Sequence, residues 1–461
     1  MGGASLMASL LVDVSPLRED RTFRNLFVAR TILLFGVGIV AVTVPLEVYA
    51  RTGSTPVVGM VTAIESVAFV VGYLGGGVLA DRVDRWLLVR VTWLISGTTF
   101  AGLAVNAAWI GSTPLTAALV AANGLSGATC ITAMLAVTPS IVDRAKLHAV
   151  GALNTVSLRL GAVVAPAVGG IVFAVASAAW NYTAGALAAA ATWVLLMVAP
   201  PPGRGRTVAA DPLPTTGPAP GASGPPGTSA GPGTDATGDR SVADGPPDPA
   251  ESPLAALRSG ARFAVREPVV FGVMVAGLVG MVGGGSFVLF PAFVEARFGG
   301  SSTVVGLMYS ALATGVVLGS LGSGWVRRSP RPGRLLLVLM VACYACYACY
   351  ALAGAAPTVA LVLAALVAAG ATNAIEEVLR YTLLQLRTPD ALLGRVNSLF
   401  AAQAMTGAAI GAVVAGFVGG VVGDGDALWA YNTVTGLVAA ATGLLLGPLR
   451  RVTRASIEEE R

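Results

Sequence analysis

Charged side chains are scarce in this chain. Asp, Glu, Lys and Arg make up 11% of the 461 residues, whereas apolar residues make up 55%. A water-soluble fold of this size needs more charged groups to cover its surface, so the composition excludes that class. It indicates a protein whose outer surface faces lipid.

Several chemical signatures are also absent. The four cysteines include no plausible external pair, so we expect no disulfide. No Walker loop is present, so ATP does not drive the protein directly. Nothing resembles a hydrolytic triad, and we expect no enzyme activity, no metal site and no cofactor. The net charge of +5 is accounted for by membrane loops and implies no nucleic-acid partner.

Apolar runs recur along the chain, each of roughly 20 residues, which is the length that crosses a bilayer. They lie near residues 26–49, 57–79, 87–109, 115–137, 148–174, 179–199, 269–291, 303–326, 335–354, 357–381, 397–422 and 427–448. Because lipid offers no hydrogen-bond partners, each run is predicted to be a helix. The sequence therefore predicts an all-α membrane protein with about twelve transmembrane helices.

Basic residues occur mostly in alternate loops of this arrangement. One side carries Arg18, Arg21, Arg24, Arg82, Arg85, Arg144, Lys146, Arg258, Arg262, Arg266, Arg327, Arg328, Arg331, Arg334, Arg387, Arg395, Arg450, Arg451 and Arg454. The other side has only Arg51 and Arg297. By the positive-inside rule, both termini face the cytoplasm. We expect a multi-pass protein of the cell (inner, cytoplasmic) membrane, acting as a monomer.

A ten-residue segment occurs twice. GAVVAPAVGG (Gly161–Gly170) returns as GAVVAGFVGG (Gly411–Gly420), at an offset of 250 residues. Val57-Val58-Gly59 likewise returns as Val304-Val305-Gly306, at an offset of 247. These anchors predict two pseudo-symmetric six-helix bundles, and duplicated bundles of this kind enclose a transport path between them.

The bundles are separated by a segment of different composition. Residues 200–253 are rich in Pro and Gly and contain hardly any large apolar side chain. This composition predicts a disordered cytoplasmic linker that acts as a spacer, with a regulatory role as the alternative. The predicted domains are 1–199, 200–253 and 254–461. The alternation of apolar and basic residues from Leu254 to Arg266 predicts an amphipathic helix on the inner leaflet.

The loop after the second run carries a recognisable motif. Gly77-Val-Leu-Ala-Asp81-Arg82-Val-Asp84-Arg85 resembles the loop motif of the major facilitator superfamily, with Asp84 where the general motif has glycine. We expect Gly77 to let two helices approach closely. The acidic and basic residues from Asp81 to Arg85 would latch the cytoplasmic ends of the bundles and so act as a gating loop.

Longer segments resemble one branch of that superfamily, the enterobactin (siderophore) exporters. They are Phe23–Val48, Val137–Gly170, Ala178–Tyr182 and Leu379–Ala412. The resemblance implies a major facilitator fold and proton-driven export of a siderophore or related metabolite. The branch also includes macrolide and other drug efflux proteins, which is the first alternative. A membrane sensor or scaffold that transports nothing is the second.

Gly161–Gly170 also resembles the superfamily's antiporter motif in the fifth helix. Its small residues, Gly161, Gly169 and Gly170 among them, would make a smooth helix face that packs against the other half. Pro166 would add a kink that seals or opens the path. Ordinary tight packing is the alternative interpretation.

Charged residues that break the internal symmetry are the candidates for substrate binding and proton coupling. Arg159 corresponds to Ala409 and lies near the bilayer centre, where an arginine requires a wet cavity or a partner. Glu65 corresponds to Leu312 and could carry a proton through the cycle. A structural ion pair is the alternative for Arg159.

A second charged group lies in the tenth run. Glu376, Glu377 and Arg380 are spaced so that the arginine lies one helical turn from both carboxylates. They either form a local ion pair inside the membrane or mark its inner interface. Glu47, at the outer end of the first run, is expected to be solvated. We predict that the proton gradient supplies the energy and that Glu65 or Glu376 carries the proton.

Overall fold

The computed structural model describes residues 21–141, 147–198, 253–352 and 358–453, and within them it contains helices and turns but no strand. The first helices are α1 (Arg21–Thr52), α2 (Thr55–Arg82), α3 (Arg85–Val105), α4 (Thr113–Ile141), α5 (Leu147–Val175) and α6 (Ala178–Val198). The later ones are α7 (Pro253–Arg266), α8 (Pro268–Gly283), α9 (Phe290–Phe298), α10 (Ser302–Gly322), α11 (Pro332–Leu352), α12 (Val359–Arg387), α13 (Asp390–Val422), α14 (Ala427–Leu445) and α15 (Gly447–Arg451).

Ten stretches of the described chain are long and apolar enough to cross a membrane. One of them, Pro268–Phe298, combines α8, a 3₁₀ turn and α9. Outside these ten are α6 and α11, each of 21 residues, and the apolar part of α11, Pro332–Ala348, is shorter than the others. The all-helical membrane fold is confirmed, and the count of about twelve spans stays a prediction.

The helices before and after the linker each pack mainly among themselves. In the N-terminal half, α2 packs on α4, and α1 packs on α5 and α6; in the C-terminal half, α10 packs on α12, and α11 packs on α12 and α14. The predicted linker 200–253 lies outside the described residues except for Pro253. The predicted domain boundaries therefore stay predictions.

Glycines set the distance between α2 and α4. A Cβ atom on Gly72 would lie 2.9 Å from the Cα of Leu125, and one on Gly76 would lie 2.8 Å from the Cα of Thr129. Gly77, for which close helix approach was predicted, would meet nothing within 4 Å. That prediction is wrong for Gly77, because it points away from the α2–α4 interface that Gly72 and Gly76 face.

The membrane stretch Pro268–Phe298 is broken between α8 and α9. The turn Gly284–Leu289 is a 3₁₀ helix, and the N–H of Gly284 donates to the carbonyls of Gly280 and Val282 at the end of α8. Tyr344 donates hydrogen bonds to the carbonyls of Val279 (3.1 Å) and Gly280 (3.2 Å), and Tyr431 donates to the carbonyl of Val282. Two tyrosines from neighbouring helices thus stabilise the break.

The α2–α4 contact provides a test with an internal control. Gly72→Ala places a methyl group against the Leu125 backbone, and we expect it to lower the free energy of unfolding by about 1–3 kcal/mol. Gly77→Ala has open space and a higher helix propensity, so its stability should be equal or higher. Thermal unfolding in detergent measures both. Equal destabilisation by the two variants would contradict the packing described.

Candidate functional site

The two halves approach most closely at one end of the bundle, which we call the outer end. It is the end that carries the turns 53–54, 176–177, 299–301 and 423–426, which the arginine distribution predicts to lie outside. There α5 packs on α10 and α2 packs on α13. At the opposite end, a Cβ atom on Gly77 or Gly322 would meet nothing within 4 Å. The described helices are therefore sealed at the outer end.

Two glycine contacts form this outer seal. A Cβ atom on Gly170 would lie 2.8 Å from the Cα of Gly306, and one on Gly59 would lie 3.1 Å from the Cα of Gly416. Gly59 and Gly306 are equivalent positions of the internal repeat. Their partners are not equivalent, since Gly170 corresponds to Gly420 and Gly416 corresponds to Pro166. The two contacts are therefore similar rather than identical, and neither leaves space for a side chain.

The antiporter-like motif on α5 serves both halves. Gly161 and Gly169 face α1 of the same half, where added Cβ atoms would meet Leu34 at 3.6 Å and Val42 at 2.8 Å. Gly170 and the carbonyl of Pro166 face Gly306 of the other half. The motif thus combines ordinary packing on one helix face with the inter-half contact on another.

Polar contacts add to the outer seal. Tyr49 of α1 donates a hydrogen bond to Oδ2 of Asp424 in the turn before α14, at 2.6 Å. Thr55 of α2 donates to the carbonyl of Gly416 at 3.2 Å. Each of these bonds joins the N-terminal half to the C-terminal half, so opening the outer end would break both.

Glu65 lies below this seal in the middle of α2. It follows Thr55 by ten residues, about 15 Å along the helix, which is half the thickness of the hydrocarbon core. Its side chain is partly accessible and has no hydrogen bond or ion pair to another described residue. A carboxylate at this depth without a partner is available to a proton or a substrate.

Arg159 is also partly accessible in the middle of its helix. It precedes the end of α5 at Val175 by sixteen residues, about 24 Å. Like Glu65, it has no ion pair or hydrogen bond to another described residue. The structural ion pair considered as the alternative is therefore not present among the residues described.

An aromatic cluster of the C-terminal half adjoins this region, and the sequence analysis missed it. The ring of Tyr309 on α10 lies 5.8 Å from that of Phe287 and 5.2 Å from that of Phe290, centre to centre. Phe290 is fully buried, while Tyr309 and Phe287 are partly accessible. Tyr309 follows Gly306 by three residues on α10 of the C-terminal half, and Glu65 follows Gly59 by six residues on α2 of the N-terminal half. No local pattern marks these aromatics, because they lie on separate segments.

The three charged residues predicted as a group on α12, Glu376, Glu377 and Arg380, do not all lie together in the structure. Nε of Arg380 lies 2.9 Å from Oε1 of Glu376, and the two side chains are 1% and 4% exposed. The ring of Phe400 lies 5.8 Å from the guanidinium. Glu377 lies on the exposed face of the helix. Glu376 and Arg380 are thus a buried ion pair inside the C-terminal half, and Glu377 is not part of it.

Glu47 is not solvated as predicted. It is buried, its Oε1 lies 2.6 Å from Nη2 of Arg51, and its Oε2 accepts a hydrogen bond from Tyr182 at 2.5 Å. Arg51 also donates to the carbonyls of Asn106 and Ala107 in the π-helical turn after α3. The prediction considered only the position of Glu47 along the chain, and Tyr182 comes from a distant helix.

The gating loop is only partly described. Arg82 and Asp84 are exposed, and Oδ1 of Asp84 accepts a hydrogen bond from the backbone N–H of Leu87 at 2.8 Å. Asp84 therefore caps the N-terminus of α3, which explains an acidic residue at this position. The side chains of Asp81 and Arg85 lie outside the described residues.

Other features do not contribute to the region between the halves. A groove of about 350 Å³ between α3 and α6 is lined by apolar residues such as Trp93, Ala190 and Trp193, and lies within the N-terminal half. Arg30, inside the first apolar run, is partly accessible, and the sequence analysis missed it. Among the residues described, no group of His, Cys, Asp and Glu could hold a metal ion.

These features define a multi-pass helical membrane transporter, built from two packed halves that meet in an outer seal. Two partly accessible charges lie below this seal, Glu65 near mid-membrane and Arg159 closer to the inner end of its membrane stretch. The sequence model of the Major Facilitator Superfamily matches residues 26–412. The chain belongs to that superfamily and is a secondary transporter of small molecules, not an enzyme.

Curated relatives match nearly the whole chain. The enterobactin exporter EntS of Citrobacter koseri is 32% identical over 448 residues, which cover 96% of each chain. The enterobactin exporter EntS of Shigella boydii serotype 4 is 32% identical over 412 residues, or 89% of this chain and 88% of the relative. The predicted resemblance to the siderophore-exporter branch is confirmed.

Solved structures support the fold. The nucleoside transporter NupG has a TM-score of 0.68 at 13% identity, covering 94% of this chain and 100% of its own. A bacterial homologue of the human lysosomal transporter Spinster, inward-facing and unoccupied, has a TM-score of 0.66 at 15% identity. The match covers 95% of this chain and 98% of that structure's chain. At these identities the likeness concerns the fold alone.

The outer seal can be tested with spin labels on cysteines at positions 177 and 301, which flank the α5–α10 contact, in a cysteine-free background. Gly170→Val forces the two backbones apart, so we expect a longer distance between the labels. Gly127→Val is the control, because a Cβ atom at Gly127 meets nothing within 4 Å. Pulsed electron paramagnetic resonance measures the distance. An unchanged distribution in Gly170→Val would contradict the seal.

Proposed function

We propose that this protein is a proton-coupled secondary transporter that exports a siderophore or a related small metabolite from the cytoplasm. The observation that carries the proposal is the 32% identity to enterobactin exporters over 96% of the chain. The position of Glu65 and Arg159 supports it further, because a membrane protein has little reason to keep unpaired charges within its membrane stretches unless they act on a substrate or an ion.

Arg159 and Glu65 have different tasks in this proposal. The guanidinium group of Arg159 orients an anionic group of the substrate. Glu65 exchanges its proton with the aqueous phase on one side and then on the other. When the bundle is sealed outside, Glu65 releases a proton inward and substrate binds. When the seal opens, Glu65 is protonated from outside and substrate leaves.

Glu376 is the weaker candidate for the proton carrier. It is 4% exposed and already holds Arg380, so its protonation would leave a buried guanidinium without its counter-charge. Glu65 has no such partner to lose. We therefore assign proton coupling to Glu65, and to the Glu376–Arg380 pair a structural task within α12.

In this proposal the inner loop and the linker also have tasks in the alternating-access cycle. The loop from Asp81 to Arg85 closes the inner end when the outer seal opens. The linker 200–253 is a spacer that lets the halves move. The protein lies in the inner (cytoplasmic) membrane as a monomer of about twelve spans, with both termini in the cytoplasm, and the proton gradient drives it without a cofactor.

A second candidate function is multidrug or macrolide efflux by proton antiport. The observations that favour it are the unpaired Glu65 carboxylate in the middle of α2 and the aromatic cluster of Tyr309 and Phe287 in the other half. A carboxylate beside aromatic rings suits a lipophilic cation as well as an aromatic group that donates hydrogen bonds.

Deleting the gene in its host separates the two functions. Siderophore export predicts less siderophore in the medium of iron-starved cells, with secretion restored by the intact gene. Unchanged secretion together with hypersensitivity to lipophilic drugs would contradict siderophore export and support efflux. The measurements are siderophore content of the medium and minimal inhibitory concentrations.

The assignment of Glu65 can be tested in proteoliposomes that contain a pH-sensitive dye. We expect Glu65→Gln to abolish substrate-driven proton flux, because the amide cannot titrate, while substrate exchange without net proton movement continues. Glu377→Gln removes an exposed carboxylate and serves as the control, with flux close to that of the unmodified protein. Normal flux in Glu65→Gln, or its loss in Glu376→Gln alone, would contradict the assignment.

A further inference from the structure

The short helix α7 lies where the chain enters the membrane. It ends at Arg266, and the membrane stretch that starts with α8 begins two residues later at Pro268. A helix this close to the start of a membrane stretch lies at the level of the lipid headgroups. The sequence analysis predicted its amphipathic character; the structure adds which face is covered.

One face of α7 packs on the C-terminal half. A Cβ atom on Gly260 would lie 2.9 Å from the Cβ of Arg395, and Ala264 is buried. Nη1 of Arg395 donates a hydrogen bond to Oγ of Ser259 at 2.5 Å. The helix is thus fixed to the first turns of α13, and it also contacts α8.

The opposite face presents a row of arginines. Arg258, Arg262 and Arg266 follow one another at intervals of four residues, so they lie along one side of the helix, and all three are exposed. Val265, on the same side, is 68% exposed. None of the three arginines has an ion pair or hydrogen bond to another described residue.

Three like charges one turn apart repel each other unless a counter-charge lies nearby. Among the described residues only Glu267, which follows Arg266, is an adjacent acidic group, and it forms no ion pair with the row. The row lies at the headgroup level, where phosphate groups are the available anions. Arginine binds phosphate oxygens with two parallel N–H donors. An exposed valine between them suits the boundary between headgroups and acyl chains.

We propose that the exposed face of α7 is a docking surface for anionic phospholipids, whose phosphate groups bind Arg258, Arg262 and Arg266. Each arginine near a charged membrane surface strengthens binding about fivefold. This surface is independent of the transported substrate.

The surface is connected to the outer seal through one helix. α13 carries Arg395, which holds α7, near its start, and Gly416, which contacts Gly59, near its end. A lipid bound to α7 therefore fixes the inner end of the helix whose outer end closes the path.

Native mass spectrometry of the purified, delipidated full-length protein tests the proposal by titration with phosphatidylglycerol and with phosphatidylcholine. The variant R258Q/R262Q/R266Q is compared with R328Q/R331Q/R334Q, which removes three exposed arginines from the segment between α10 and α11 and from the first turn of α11. We expect the unmodified protein and the control to bind phosphatidylglycerol more tightly than phosphatidylcholine. The α7 variant should bind phosphatidylglycerol at least about tenfold more weakly.

Three outcomes would overturn the proposal. They are unchanged phosphatidylglycerol binding by the α7 variant, an equal loss in the control variant, and displacement of the lipid by inorganic phosphate where chloride of the same ionic strength has no effect. The last would indicate a soluble anion as the ligand. If the triple variant does not purify as a monodisperse protein, the single variant R262Q is measured instead, with an expected weakening of about fivefold.

Discussion

The structure depends on two places where backbone meets backbone across the boundary between the halves. Gly170 with Gly306, and Gly59 with Gly416, are so close that no side chain fits between them. Residues of the proposed site lie on the same helices as these glycines. Glu65 follows Gly59 by six residues, about 9 Å along α2, and Tyr309 follows Gly306 by three residues, about 4.5 Å along α10. A movement that parts the glycines therefore also moves Glu65 and Tyr309 relative to each other.

Charged residues in the membrane region fall into two physical groups. Glu376 with Arg380, and Glu47 with Arg51 and Tyr182, are paired with partners within one half, and both carboxylates are buried. Glu65 and Arg159 are partly accessible and have no such partner among the described residues. A paired, buried charge stabilises a helix bundle in one arrangement. An unpaired, accessible charge is what a cycle of binding and release requires.

The sequence was informative wherever the relevant signal is local or repeated. The duplicated segment predicted that small residues of α5 pack against the other half, which holds for Gly170, whereas Gly161 and Gly169 pack on α1 of the same half. Arg159 and Glu65 stood out because each has an apolar counterpart in the other half. Gly77 was misjudged because a glycine alone does not reveal which way it faces, and α2 turns it away from α4. Glu47 and the aromatic cluster depend on partners from distant helices, such as Tyr182 and Phe287, which spacing along the chain does not indicate.

The central claim is that outward movement of a siderophore is linked to inward movement of protons. The most direct test uses the unmodified protein in liposomes loaded with enterobactin. A pH gradient is imposed in which the medium outside the liposomes is more acidic than their lumen. The account predicts that efflux accelerates with the gradient, that protons move the opposite way, and that a protonophore abolishes the acceleration. Efflux at the same rate with and without the gradient, and with no counterflow of protons, would contradict it.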